Sequence, residues 1–590
     1  MPHKRKSKNC FSPKLQFEPN DSFLYLTYYE EEENFLCVPI ESLVIIFSLK
    51  FCEIKDIKIR FVVSPISGVS TRISKQLDLH FEIEKRNEAP VQVQACRLPA
   101  WFLPNQRTCI AGLCSVVRYA FRLAHFSEQL QICKSLLGFQ QGCLSAPQEV
   151  STWTKFCEVD IHQPLEELNN TELITLPEAI SKFEAHLKQP VRMHNIRDKM
   201  QKSGKVKPVL EDGIEVVIDN GEKVDPIEVY ARTEHVFAEG PELLISDVLI
   251  YPIFYLLEKK YKLLHNFPNI ETWYVNVSET NAASVMDKLV DIEEDLKYSN
   301  LPAATVPEES LYKCDPNRNK QSAKLYTRQA DIDTGLDWWD ESGITNMQQY
   351  QVEGCDQLDW SELPKLVHPL AGSLPPDRLE RKCGQLSSLA VPLAKIAKPG
   401  DVLVDFCSGG GHLGLLVAHL APSSTVHMVE NKEESLARAR ERGVEMGANN
   451  VWFFQCNLEY YIGTFNIGSS LHACGVATDL VILKCTQARA AFVCCPCCYG
   501  GVQCLDNVTY PRSQLYASAG VGLQSYLVLA HAADQTHAGV EKCEQGRLCM
   551  DIVDTDRGWG VREQGYSVTL SKLEPRDCTP KNNLLVGIPS

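Results

Sequence analysis

The stretch VDFCSGGGHLG, residues 404–414, puts an acid at the end of an apolar run, follows it with three consecutive glycines, and then turns into helix-forming text. Glycines directly behind a strand let the backbone pass close to a ligand and let the N-terminus of the next helix approach it. Outward from this stretch, strand and helix patterns alternate. DVLVDF reads as strand and HLGLLVAHLAP as a helix that stops before Pro422; STVHMVE is strand and NKEESLARARERGVEMG helix. VWFFQC and FNIGSSL are strands, TDLVILKCTQ is helix and AAFVCC strand. Such alternation predicts a doubly wound α/β (Rossmann-like) sheet that takes ligands at the carboxyl ends of its strands.

Gly409, Gly411 and Gly414 satisfy G-x-G-x-x-G, a pattern shared with nicotinamide dinucleotide enzymes. Two acids discriminate. Asp405 lies upstream of the glycines on the strand itself, and Glu430 ends the next strand, where a carboxylate can accept both hydroxyls of a ribose. With Asn457 after the third strand, this set resembles the class I S-adenosylmethionine-dependent methyltransferases over residues 379–590. The resemblance implies S-adenosyl-L-methionine as cofactor. Asp405 and the loop of Cys407, Gly409, Gly411 and Gly414 would hold its methionine end, Glu430 its ribose and Asn457 its adenine. Cys407 stands where the family has its first glycine. YSVTLSKLEP and NNLLVGIP read as a terminal strand pair, like the antiparallel hairpin that closes such sheets.

Two further strings follow the fourth and fifth strands of this domain. LHACGVATD (residues 471–479) supplies the candidate catalytic residues His472, Cys474 and Asp479; the imidazole is a base that titrates near neutrality, and Asp479 either orients it or caps a helix. CCPCCYGG (residues 494–501) supplies a candidate acceptor loop of Cys494, Cys495, Pro496, Cys497, Cys498 and Tyr499. Its cysteines have three readings: zinc ligands with Cys474 and Cys504 nearby, an acceptor-binding loop, or packing against the sheet. The loop reading leads and no metal is expected, because adjacent cysteines do not easily face one ion. The two strings are also similar, more distantly, to a methyltransferase group that includes transfer-RNA 2'-O-methylating enzymes. Arg378, Arg381 and Lys382 precede the sheet on a helix and read as an exposed face or as contacts at the cofactor mouth.

The front of the chain has a different text. FLYLTYY, ESLVIIFSLKF and IKIRFVV give strand, helix and strand, followed by RLPAW and an apolar helix CIAGLCSVVRYAF. Beyond residue 130 the patterns LPEAISKFEAHL and SDVLIYPIFYLLEKKYKLL are helical. HVFAEGPELLISDVLIYPIFYLL and FPNIETWY resemble the C-terminal helical domain of glutathione transferases, with Asp247 as the capping-box acid and Leu244 where the capping hydroxyl belongs. The first hundred residues resemble the thioredoxin-like half of those enzymes, with Pro99 as the candidate cis-proline. Glutathione-binding members hold the γ-glutamyl end with a Glu-Ser pair at a helix start; Gly112 and Leu113 stand there, so no glutathione binding is expected. Cys37 reads as a buried structural thiol rather than a nucleophile.

These readings divide the 590 residues into a degenerate thioredoxin-like domain (1–125), an all-α glutathione transferase C-terminal-like domain (126–305) with an inserted loop at about 195–230, a linker with tryptophan packing segments (306–376), and the methyltransferase-like domain (377–590). A net charge of -16 argues against general nucleic-acid binding. Two local basic clusters, Lys4, Arg5, Lys6 and Lys8, and Arg192, Arg197, Lys199, Lys202, Lys205 and Lys207, read as solvated loops. The 24 cysteines, spread through a chain without an export signal or a membrane-length apolar run, are expected to be reduced thiols in a cytoplasmic protein with no membrane partner. The expected activity is methyl transfer, with RNA placed ahead of protein as acceptor and the front module as a partner-binding or dimerising surface. A binding or scaffold protein that retains both folds is the alternative, and an active glutathione transferase a third.

Overall fold

A computed structural model describes residues 22–64, 69–76, 79–127, 129–146, 148, 151–169, 173–191, 209–211, 214–219, 222–224, 234–312, 328–350, 358–372, 378–471, 473–536 and 540–590. His472 and both basic clusters lie outside the described residues. The chain forms two compact units, one of residues 1–89, 98–105 and 112–312, the other of 90–97, 106–111 and 313–590. No helix among the described residues is long and apolar enough to cross a membrane.

The second unit is a doubly wound sheet. Its strands in chain order are β1 (Thr108–Ala111), β2 (Gln349–Tyr350), β3 (Val402–Phe406), β4 (Thr425–Glu430), β5 (Val451–Gln455), β6 (Ile467–Ser470), β7 (Ala491–Cys494), β8 (Tyr566–Lys572) and β9 (Asn583–Pro589). They lie side by side as β2-β8-β9-β7-β6-β3-β4-β5-β1. The run from β7 to β1 is parallel, and β9 is antiparallel to both β7 and β8. The terminal strand pair read from sequence is thus β8 and β9. Successive connections leave β3 in one direction and return to its other side at β6, which makes a topological switch point at the carboxyl end of β3.

The helices that carry the site are α1 (Leu379–Ile396), α2 (His412–Leu420), α3 (Glu433–Glu445) and α4 (Val476–Gln487), with α5 (Leu523–Ala532) and α6 (Val540–Arg562) following. Leu389 and Leu393 of α1 and Leu416 of α2 bury completely or nearly so against Leu403, Val426 and Phe453 of the sheet. The sequence reads residues 306–376 as irregular, but Gln329–Ser342 is a helix. Its many acids hide the apolar stripe, of which Ile332 and Trp339 are buried. Both tryptophan segments are packing anchors: Trp338 Nε1 donates to the Ala519 carbonyl at 2.9 Å and Trp360 Nε1 to Ser387 Oγ at 3.0 Å.

A second difference concerns CIAGLCSVVRYAF. Its first residues are not helix but β1, paired in parallel with β5, and the helix begins only at Leu113. The intervening Gly112 has φ of 103°, a conformation that ends the strand. The unbroken apolar text masks this one-residue change of direction.

In the first unit, Phe23–Tyr28 pairs in parallel with Lys58–Val63 and antiparallel with Ala100–Leu103, and the Leu98–Pro99 bond is cis. Cys37 is buried, and burial together with Glu32 pushes its thiol up, the opposite of an activated nucleophile. Helices Glu178–Leu187, Ile245–Tyr261 and Pro268–Val277 meet at an aromatic core in which Trp273 packs edge-on against Phe183 and Phe254 at 5.1 and 5.2 Å. Asp247 holds this region. Its carboxylate accepts the Leu244 N–H at 2.8 Å, the Ala238 N–H at 2.7 Å and the Trp273 indole N–H at 2.8 Å, so the acid half of the capping box works without its hydroxyl half.

Asp247→Ala leaves three buried donors without an acceptor, each costing about 1–3 kcal/mol. The expected outcome in chemical denaturation is a loss of at least about 3 kcal/mol from the first unit. Asp247→Asn, which retains one acceptor oxygen, should lose less; equal losses from both variants would contradict this account of the cap.

Candidate functional site

The turn after β3 is built by two acids and a guanidinium. Asp405, 3% exposed at the end of β3, accepts the Gly414 N–H at 3.0 Å and so ties the strand to the first turn of α2 across the whole glycine loop. Glu430, at the end of β4, accepts the Gly409 N–H at 2.8 Å through one oxygen and the Lys432 N–H at 2.8 Å through the other. From α3, Arg442 donates to the Gly410 carbonyl at 3.1 Å and to the Leu366 carbonyl at 2.8 Å. Arg442 was invisible to sequence reasoning: nothing in RARERG distinguishes the arginine that turns inward from its neighbours, except its place on the buried stripe with Leu436 and Ala439.

The three glycines divide their work. A Cβ on Gly414 would sit 2.8 Å from Met428 Cε, and one on Gly411 (φ 73°) 2.6 Å from the Ala439 Cβ; both permit close helix–sheet packing. Gly409, at φ 56°, is the open one, with nothing within 4 Å of where its Cβ would be. Cys407 adopts φ 55°, a left-handed backbone that glycine takes without strain and other residues do not. Ser408 Oγ is shielded from solvent and has no hydrogen-bond partner among the described residues.

These features fit a cofactor with an amino-acid tail and a ribose. Gly409 leaves a bare turn, Ser408 offers an unsatisfied hydroxyl beside it, and Glu430 keeps unused lone pairs on both oxygens. Asn457 is buried after β5, where its side-chain oxygen accepts from Asn431 Nδ2 at 3.0 Å, so the second-strand and third-strand polar residues form one rim. Asp405 faces inward and positions the loop.

Burial pushes the Asp405 carboxyl up from 3.8 to about 7, against the Gly414 N–H and Lys382, which pull it down. Burial equally draws Lys382 down, to about 8. Lys382 is partly buried on α1, whereas Arg378 and Arg381 are exposed. The basic helix therefore contributes one charge to the site, opposite Asp405, and two to solvent.

A protein-family model described as a methyltransferase domain matches residues 381–504. A glutathione S-transferase C-terminal domain-containing protein homolog of Drosophila melanogaster is 36% identical over 600 residues, covering 96% of this chain and 98% of its own. The glutathione S-transferase C-terminal domain-containing protein of Homo sapiens is 33% identical over 635 residues, covering 96% and 98%. The chain belongs to this family. Among solved structures, the magnesium protoporphyrin IX methyltransferase of Synechocystis with bound SAM is 12% identical and aligns with a TM-score of 0.23 over 45% of this chain and 95% of its own. By the family model, this member of the glutathione S-transferase C-terminal domain-containing family carries a methyltransferase domain within its second unit.

The structure sorts the second set of sequence candidates into separate places. Asp479, 1% exposed, receives Arg557 Nη2 at 2.6 Å, Arg557 Nε at 3.0 Å and the Tyr510 hydroxyl at 2.8 Å. It is committed to a buried ion pair with Arg557 and to the Tyr510 hydroxyl. Tyr499 is not an exposed stacking ring: it is fully buried and its hydroxyl donates to Asp554 at 2.6 Å. Cys494 and Cys495 are buried at the end of β7, and burial pushes the Cys494 thiol up to about 12. They pack against the sheet, as the third reading of the cysteines has it.

Cys497 and Cys498 instead meet Cys474. The Cys474 Sγ lies 3.3 Å from that of Cys497 and 3.2 Å from that of Cys498. Hydrogen bonds to Cys474 and Cys498 push the Cys497 thiol up, and the bond with Cys497 brings Cys498 down to about 6.

Asp405→Asn tests the electrostatics of the loop. Because burial raises the folded-state value, the acid's contribution is complete below about 4 and disappears as pH rises through about 7. Asparagine stays neutral throughout. The variant should therefore gain stability relative to wild type as pH is raised across that window, read as the difference in melting temperature at each pH; a constant difference would contradict the assignment.

Proposed function

We propose that the second unit is an S-adenosylmethionine-dependent methyltransferase acting on RNA, in a cytoplasmic protein whose first unit is a non-catalytic module that binds a partner or a second copy. The observation that carries the reading is the bare turn at Gly409, bracketed by Asp405 and Glu430 at adjacent strand ends. RNA is placed ahead of protein because of the likeness of LHACGVATD and CCPCCYGG to transfer-RNA 2'-O-methylating enzymes.

When bound, the cofactor supplies an electrophilic methyl group on a sulfonium. Glu430 would accept from the ribose hydroxyls, the backbone of residues 407–411 with Ser408 Oγ would meet the amino-acid tail, and Asn457 would face adenine. Asp405 and Arg442 keep the loop from both sides in the shape this requires. Methyl transfer is chiefly a matter of placing an acceptor in line and excluding water, so a rigid loop is the main contribution of the protein. His472 is the proposed base for a hydroxyl acceptor, by its place in the sequence after β6.

A scaffold that retains both folds is the second reading. What favours it is the strained Cys407 in place of glycine and the two N–H donors already on Glu430. Full-length protein incubated with methyl-labelled S-adenosylmethionine and fractionated cellular RNA and protein separates the readings. Label should enter RNA, and Gly409→Ala should abolish it while lowering the melting temperature by only a few degrees, since the added methyl meets no protein atom and the left-handed backbone at φ 56° costs an alanine about 1–2 kcal/mol. Label in protein would correct the acceptor; no label in either fraction would favour the scaffold.

The front module should not bind glutathione. Gly112 and Leu113 supply no carboxylate or hydroxyl, and the start of the Leu113–Ser127 helix already faces a carboxylate, with Glu158 Oε1 3.4 Å from the Cys114 N–H. Isothermal titration should show no micromolar affinity; a clear isotherm would overturn the non-catalytic assignment.

A further inference from the structure

We infer that Cys474, Cys497 and Cys498 form a binding site for a thiophilic divalent cation of the zinc class, with a fourth coordination position open to an external ligand. They are the one group of three or more cysteine, histidine or acidic side chains among the described residues whose ligand atoms converge, all within 4.8 Å of one another.

The spacing lies nearer to that of ligands around one metal ion than to that of a disulfide. A disulfide needs sulfurs at about 2.05 Å. Tetrahedral zinc with Zn–S bonds of about 2.3 Å places its sulfurs about 3.8 Å apart. The observed 3.3 and 3.2 Å separations reach the second arrangement with shifts of about half an ångström in side-chain position.

The backbone prepares this convergence. Cys474 and Cys497 are bridged in parallel just beyond the ends of β6 and β7, with the Gly475 N–H donating to the Cys497 carbonyl at 2.9 Å. In extended chain the next side chain would point away, which is the objection to adjacent cysteines sharing an ion. Cys498 escapes it by adopting the left-handed conformation, φ 52° and ψ 53°, which turns its thiol toward Cys474. Immediately afterwards the chain is pinned: the Tyr499 and Gly500 N–H groups donate to Asp534 at 3.2 and 2.8 Å, and the Tyr499 hydroxyl is held by Asp554. The frame is therefore fixed by groups that are not ligands. Cys474 and Cys498 are exposed, so an ion can enter and the fourth position faces outward.

Such an ion would clamp the loops after β6 and β7 together, the ends of the sheet that carry the sequence strings distinguishing this domain. The inference stands on these three residues and does not require methyl transfer.

The test uses the full-length chain purified without chelators. Elemental mass spectrometry should find about one zinc ion per chain, and cobalt(II) added to the metal-free protein should give the thiolate charge-transfer and visible bands of a tetrahedral sulfur site. Both should be lost in the double variant Cys474→Ser/Cys498→Ser and kept in Cys504→Ser, which alters an exposed cysteine outside the group. Near-ultraviolet circular dichroism checks that the variants fold; if the double variant does not, the intensity of the wild-type cobalt spectrum, which reports the number of thiolates, decides. The inference is overturned if wild type gives neither bound metal nor cobalt bands, if the bands survive in the folded double variant, or if non-reducing mass spectrometry finds a disulfide within the group.

Discussion

A single hydrogen bond, from the Gly414 N–H to the buried carboxyl of Asp405, spans the glycine turn and fixes how strand β3 hands over to helix α2. Without it the three glycines would be the least ordered part of the sheet edge, since glycine gives up more conformational freedom on folding than any other residue. With it, the loop has both ends tied, its middle is free to approach a ligand, and Glu430 can reach the Gly409 N–H from the neighbouring strand. The packing of Gly411 and Gly414 onto Met428 and Ala439 is the steric counterpart of the same constraint.

Holding a loop this way brings two carboxyls into a poorly solvated place, and the rest of the site answers that difficulty. Lys382 from α1 supplies positive charge opposite Asp405, and Arg442 from α3 bonds the Gly410 carbonyl. A second buried charge system, Asp479 and Asp554 around Arg557, lies beneath the neighbouring strand ends. Removing one partner of such a system leaves an uncompensated charge, so these residues serve structure. Through Tyr499 and Asn583 the same group anchors the cysteine run and β9.

The sequence revealed what repeats or punctuates. Strand–helix alternation, the glycines, and the acids of β3 and β4 follow from local pattern, and so does Asp247, whose capping role needs only a three-residue spacing. What it hid depends on conformation at single residues or on long-range reach. The left-handed turn at Cys498 brings its thiol to the same side as that of Cys497, and no spacing rule encodes it. Arg442 and Asp479 look like ordinary helix residues until the partners at Gly410 and Arg557 are in place. Gly112 splits an apolar string into strand and helix that periodicity alone reads as one element.

The measurement closest to the central claim is a crystal structure of the full-length protein soaked in S-adenosylhomocysteine. The account predicts the nucleoside across the ends of β3 and β4, its ribose hydroxyls on the Glu430 carboxylate and its amino-acid tail against the turn at residues 407–411. Glu430 still bonded only to the Gly409 and Lys432 N–H groups, with no nucleoside density over Gly409, would contradict it.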